Sequence, residues 1–247
     1  SARGEFFFFQ TGKPDFVHIH YDQEAVEKTH SRFSTIGIDA KSLIMCANVH
    51  EFIKPSYDEN LFCDIGFVGG YWPYKGIIID KYLTPLCHPV GSLNIKIFGN
   101  QPWPGINQYC GHLADDKVKD LFYSAKICPN LSEPHAHEYG FDINERCFKV
   151  LCAGGFCISD NVESIKKIFD GRGVIFAESP NDFKEKIDYY LDRPDERKNV
   201  AKTGREFVLN SHTNFHRVAQ ILDYFGLTQE SQGILDGWSK AKEHIDV

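Results

Sequence analysis

The chain has 247 residues, 42% of them hydrophobic and 14% aromatic, and a formal charge of -7. That is enough apolar material for a sizeable core in one large or two smaller domains, and it excludes a disordered chain. The acidic balance argues against a general affinity for nucleic acid or anionic membrane, and no apolar run approaches the ~20 residues of a membrane span, so a small-molecule partner is expected.

The phenylalanine run at 6–9 is too short for a signal peptide and lacks a cleavage pattern. Residues 16–21 (FVHIHY) read as a strand, 22–33 as a helix and 42–47 (SLIMCA) as a second strand, a single β-α-β unit. Residues 48–60, polar and carrying Pro55, read as a linker, so 1–62 form an abbreviated N-terminal α/β lobe. From Cys63 the alternation becomes regular. Strands are predicted at 64–68, 94–98, 125–128, 156–159 and 173–176, with helices at 77–86, 115–124, 145–153 and 162–169 between them. This pattern specifies an α/β fold with a Rossmann-type parallel sheet covered by helices on both faces, over 63–226. Helices at 180–191, 194–210 and 214–225 follow without intervening strands. A last helix near 232–243, within 227–247, is expected to pack back on the N-terminal lobe.

The eight cysteines form no CxxC pair, and several sit in apolar runs where a thiol acts as a small hydrophobe. Buried free thiols fit this usage and imply a reducing compartment, hence a cytoplasmic location.

Four constellations carry candidate chemistry. In FVGGYWPYKG (67–76) a strand ends in Gly69-Gly70, and Lys75 follows just before a helix. Such glycines let backbone N–H groups approach an anion, and the lysine adds positive potential; the alternative is an ordinary strand-to-helix turn. In 128–160 a polar loop precedes a helix for which Asn144 is the expected N-cap. There Arg146 and Lys149, three apart on one face, are placed to grip a diphosphate near Glu145, while Glu145 and Lys149 at i and i+4 equally suit a surface ion pair. Glu138 and Asp142 are candidates for sugar hydroxyls or proton transfer, or for turn chemistry around Gly140. His18 and His20 share one strand face and are candidate general bases, as the imidazole pKa suits that task; His135 and His137 recur beside Glu138, but HEXXH is absent and no metal site is expected. Tyr71, Trp72, Tyr74 and Trp103 follow strands, where aromatic rings stack on ligands or fill the seam between lobes.

Taken together, the segment DIGFVGG from Asp64, NERCFKVLCAGGFCISD from Asn144 to Asp160, Tyr189-Tyr190-Leu191 with Pro194 and Glu196-Arg197, Gly204-Arg205, and His212-Thr213 with His216-Arg217 resemble the C-terminal half of a GT-B glycosyltransferase. The pattern is similar to the group-1 set that includes CgeB-like proteins. Arg146, Phe148, Gly154 and Asp160 match its signature, and Gly69, Lys75 and Gly76 resemble its phosphate loop. Lys149 departs from it, standing where the family usually carries a ribose-binding glutamate, and Gly70 stands where relatives often place an arginine. The resemblance implies a metal-independent transfer of a sugar from a nucleotide-diphosphate donor, such as a UDP- or GDP-sugar, to a glycan acceptor, with no cofactor beyond that donor. It places the diphosphate against Gly69, Gly70, Lys75 and Arg146, with the acceptor entering from the N-terminal lobe. A nucleotide-sugar epimerase and a non-catalytic nucleotide-sugar or glycan-binding module are the alternatives.

Overall fold

Residues 14–245 are described by the computed structural model; the phenylalanine run at 6–9 lies outside the described residues. Strand β1 (Phe16–Ile19) runs into α1 (Gln23–His30), whose first turn is capped by Asp22 through its Oδ1 and the Ala25 N–H, 2.9 Å apart. The helix expected over 22–33 stops at His30. It tightens into a 3-10 turn, Ser31–Ile36, that ends on Gly37 at φ 73°. Strand β2 is Asp39–Ser42, parallel to β1 with Phe16 opposite Asp39.

The strand expected at 42–47 therefore lies earlier, at the start of that run. Beyond Leu43, the backbone turns from β1 to the C-terminal helices. Ile44 and Met45 carbonyls accept from Arg217, at 2.7 and 3.1 Å, and Ala47 exchanges backbone hydrogen bonds with His212 and Asn214. The expected linker also holds a helical turn, α2 (Val49–Phe52), because Val49 and Phe52 are buried in the main core.

Five further strands form one parallel sheet, β3 (Cys63–Val68), β4 (Ile95–Phe98), β5 (Ala125–Asn130), β6 (Cys157–Asp160) and β7 (Val174–Ala177), in the order β4-β3-β5-β6-β7. The connecting helices are α3 (Pro73–Tyr82), α4 (Asp115–Ser124), α5 (Pro134–Tyr139), α6 (Arg146–Cys152) and α7 (Glu163–Phe169), followed by α8 (Pro180–Leu191), α9 (Pro194–Ser211), α10 (Asn214–Tyr224) and α11 (Thr228–Lys242). Helix α3 starts four residues earlier than expected because Pro73 occupies its first turn, where a missing N–H costs nothing. Helix α5 falls inside the stretch expected to be a loop.

The strands are near-continuously apolar because helices cover both faces. One face packs Leu121 and Phe122 of α4, Phe148 and Leu151 of α6, and Val208 and Leu209 of α9. The other packs Ile78 and Ile79 of α3 with Phe183 and Ile187 of α8. Strand order reverses between β3 and β5, so their carboxyl ends flank the crevice where open α/β sheets bind ligands.

Helices α10 and α11 pair with each other. The Trp238 ring of α11 stacks on Phe215 of α10 at 5.0 Å and donates its N–H to the Leu209 carbonyl. Contacts to the N-terminal strands come from α10, whose Gln220 and Tyr224 both donate to the Ser42 carbonyl. His212, just before α10, accepts from Arg217 at 2.8 Å; burial and that guanidinium push its pKa down to about 3, so it is a neutral strut.

Cys63, Cys87, Cys128, Cys147, Cys152 and Cys157 are buried free thiols, and burial pushes Cys63 up to about 12 and Cys87 up to about 11. Cys46 is half-buried and Cys110 exposed.

Candidate functional site

At the reversal point a cavity of about 360 Å³ opens between Val68 at the end of β3 and Leu131 just after β5. Its walls carry Lys75, Glu133, Asp142, Asn144, Glu145, Arg146 and Lys149, while Val118 and Phe122 of α4 form an apolar end.

Arg146 is the centre of this arrangement. One guanidinium nitrogen, Nη2, donates to the Val68 carbonyl at 3.0 Å, and the guanidinium lies 4.1 Å from the centroid of the Phe67 ring. The other, Nη1, is buried and has no partner among the described residues. Desolvation lowers the pKa of Arg146, yet a guanidinium stays charged in proteins. A buried charged donor without an acceptor costs on the order of 1–3 kcal/mol, a cost that an anion in the cavity offsets.

Lys75 faces the same space, with its ammonium 4.9 Å from the Trp72 ring centroid. Burial, and then the charge of Arg146, push its pKa down to about 8, against a smaller upward pull from Glu133. A bound diphosphate favours the ammonium, so above the free pKa binding must take up a proton. Affinity for UDP should therefore be flat in this group below pH 7 and weaken by up to about tenfold per pH unit above pH 8. Titrations of UDP from pH 7 to 10 measure this, and Lys75→Arg, which cannot deprotonate, should flatten the curve.

Gly69 serves differently from the role expected of it. Its N–H is taken by the Phe98 carbonyl at 2.9 Å, so it is not offered to a phosphate. What the absent side chain permits is the approach of Arg146, because a Cβ at Gly69 would stand 3.1 Å from Nη2. Gly99 in turn must be glycine, since its Cβ would come 2.4 Å from the Gly69 carbonyl oxygen. A Cβ at Gly70 would meet Trp72 and Asn100, and Gly70 is not among the residues lining the cavity.

Asn144 is not the helix N-cap. Glu145 occupies that position in helical geometry, and Asn144 instead accepts from the Arg146 N–H at 3.3 Å, fixing the entry of α6. Glu145 and Lys149 form their i, i+4 ion pair, and the Lys149 ammonium lies 5.5 Å from the centroid of Phe52. Both still line the cavity, so the ion pair and the pocket wall are one feature.

Asp142 is on the cavity wall and bonds His135 across 3.2 Å, with Glu133 3.8 Å from the other ring nitrogen. Glu138 is turned away, into a separate hollow of about 340 Å³ with His137, Asn161 and Lys166. His18 and His20 are exposed and lie outside the cavity wall; His20 Nδ1 is 3.0 Å from the Leu43 carbonyl oxygen, and the two rings meet edge-on with centroids 5.4 Å apart. Trp103 is 3% exposed and packs on Phe67 and Tyr71, which makes it core rather than a stacking surface. Among the described residues no three His, Cys, Asp or Glu side chains are grouped to hold a metal.

Asp160 and His137 have a part that the sequence reading did not assign. Asp160 is fully buried at the end of β6 and accepts from the Ser132 N–H at 2.7 Å, the Ser132 hydroxyl at 3.0 Å and His137 Nε2 at 2.8 Å. This clamp ties the turn after β5 and helix α5 to β6. A third hollow, about 430 Å³ between β7 and α9, has its lysine, Lys166, paired with Glu178 at 3.0 Å and gathers no unpaired cation.

Comparison with known proteins gives the same architecture. Sucrose-phosphate synthase from Thermosynechococcus elongatus superposes with a TM-score of 0.64 at 14% identity, covering 90% of this chain and 61% of that one. T4 phage BGT in complex with its UDP-glucose substrate gives 0.56 at 13% identity, covering 94% and 64%. HepE from Anabaena in complex with UDP-glucose gives 0.54 at 11%, covering 90% and 64%. The chain thus spans about six-tenths of the length of these proteins, and at such identities the likeness is one of GT-B fold. No curated protein sequence matches it. The glycosyl transferase-like family, however, matches residues 83–223, more than half of the chain and including Arg146, Lys149 and Asp160. The chain belongs to the glycosyl transferase-like family.

Proposed function

We infer that this protein is a glycosyltransferase that takes a sugar from a nucleoside-diphosphate donor and passes it to a glycan acceptor. The observation that carries the reading is Arg146. It is a half-buried residue with one buried, unpartnered guanidinium nitrogen, set beside Lys75 at the point where strand order reverses. Two cations that disfavour each other in one small cavity form a receptor for a doubly charged anion. The apolar end at Val118 and Phe122 suits a nucleoside attached to that anion.

In the transfer step, charge develops on the diphosphate as the glycosidic bond breaks. Lys75 and Arg146 stabilise it in place, a task that needs no divalent ion where two fixed cations are already positioned. Asp142 and Glu133 border the same space as acceptors for sugar hydroxyls. Relatives bound to UDP-glucose make UDP-sugars the first donors to test.

The test is turnover of UDP-, GDP- and TDP-sugars with and without a glycan panel, in the presence of EDTA. Nucleoside diphosphate released together with a glycosylated product supports the reading. Conversion of the donor sugar without any acceptor means an epimerase. Binding without turnover means a non-catalytic module.

A further inference from the structure

Three aromatic rings stand in solvent on the elements next to the cavity, outside its wall, with Tyr139 lining the neighbouring hollow. Trp72 is 42% exposed, Tyr74 43% and Tyr139 58%. Single exposed aromatics are ordinary on a protein surface, but these lie on two helices that pack together, with Tyr74 next to Tyr139. Trp72 and Tyr74 flank the proline that starts α3, and Tyr139 ends α5, the helix against which α3 packs. The Tyr74 ring lies parallel to His135, with centroids 6.1 Å apart and planes within 8°. The Tyr139 hydroxyl bonds Glu138, and its pKa is raised by that carboxylate and by neighbouring Tyr74.

This group of rings is joined to the anion cavity at two points. Lys75 lies over Trp72, and His135, beneath Tyr74, is bonded to Asp142 on the cavity wall. Its side of the sheet also matters. Helix α3 packs on the face opposite α4, whose Val118 and Phe122 close the apolar end of the cavity. A ligand with its diphosphate on Lys75 and Arg146 and its nucleoside against α4 directs its remaining end towards α3 and the exposed rings.

We propose that Trp72, Tyr74 and Tyr139 form a stacking platform for a pyranose ring, next to the reacting diphosphate. This rests on the donor reading above. A pyranose presents C–H groups on its faces and hydroxyls at its edge. Aromatic faces suit the first, and Glu133 and Asp142 on the adjoining cavity wall accept from the second. A purely apolar partner would desolvate those carboxylates without offering them a donor. The ring belongs to the donor sugar or to the acceptor, which share this chemistry.

The experiment uses the full chain as wild type, Tyr74→Ala, Tyr139→Ala and the double variant, none of which removes a buried side chain. Dissociation constants are measured for UDP and for UDP-glucose, and capture on an immobilised glycan panel is measured with UDP saturating. UDP should bind all four proteins within about twofold, as the rings do not meet the nucleotide. Each variant should weaken either UDP-glucose binding or glycan capture by about three- to tenfold. Loss with UDP-glucose assigns the platform to the donor sugar, and loss of glycan capture assigns it to the acceptor. If UDP binds the wild type while UDP-glucose and glycan binding survive the double variant unchanged, the platform is refuted and the donor site stands. If UDP does not bind the wild type, the donor reading itself fails.

Discussion

Arg146→Ala lowers the affinity for UDP by about 10- to 100-fold, the worth of one to two hydrogen bonds to a charged group. The guanidinium is held from two sides, by the Val68 carbonyl and by the Phe67 ring, so it meets the ligand without being reordered. Arg146→Lys keeps the charge but not the fork, and restores less than half of the lost binding free energy. Stability moves little. The variant gives up one hydrogen bond and a ring contact, while it also removes a buried donor that had no partner. Calorimetric titration together with thermal melting separates the two effects. Unchanged UDP affinity in a protein that melts normally would remove Arg146 from the site.

Asp160→Ala has the larger effect on the fold, about 3–5 kcal/mol of destabilisation, or a fall in Tm on the order of 10 °C. Four donors converge on this buried carboxylate, the Ser132 N–H, the Ser132 hydroxyl, His137 and, at 3.3 Å, the Ser159 hydroxyl. Without it the backbone N–H is left buried and unpaired, and α5 loses its tie to β6. Asp160→Asn keeps the volume but turns an amide N–H towards groups that already donate, so it is only a partial rescue. Chemical denaturation of both variants reads the cost. A loss below about 1 kcal/mol for Asp160→Ala would mean that water replaces the clamp.

The central sheet was legible because its five strands are short apolar runs separated by helical periods, and burial on both faces leaves that mark in any sequence. Helix α5 was not, because six residues are too few to display a period. Its only signals are Pro134 at the start and Gly140, at φ 72°, at the end. The apolar run at 42–47 resembled a strand, yet its partners are Arg217 and His212, more than 160 residues away and invisible to a local window. Lys75 was singled out from the glycines before it, and Arg146 from its spacing to Lys149 and from the resemblance; both line one cavity. The reason for Gly69 was not legible, since it lies in the approach of a side chain 77 positions later in the chain. Asp160 was marked only through resemblance, and the clamp it closes joins residues 23 and 28 positions apart.

The attachment of residues 42–47 to α10 has a consequence for how the chain is made. A ribosome releases the segment around β2 long before it releases Arg217, Gln220 and Tyr224, the side chains that bind its carbonyls. Until then Ser42, Ile44 and Met45 have no protein partner from α10, and closing so distant a contact is slow. The segment after β2 therefore completes its hydrogen bonds only once α10 has been made and has docked.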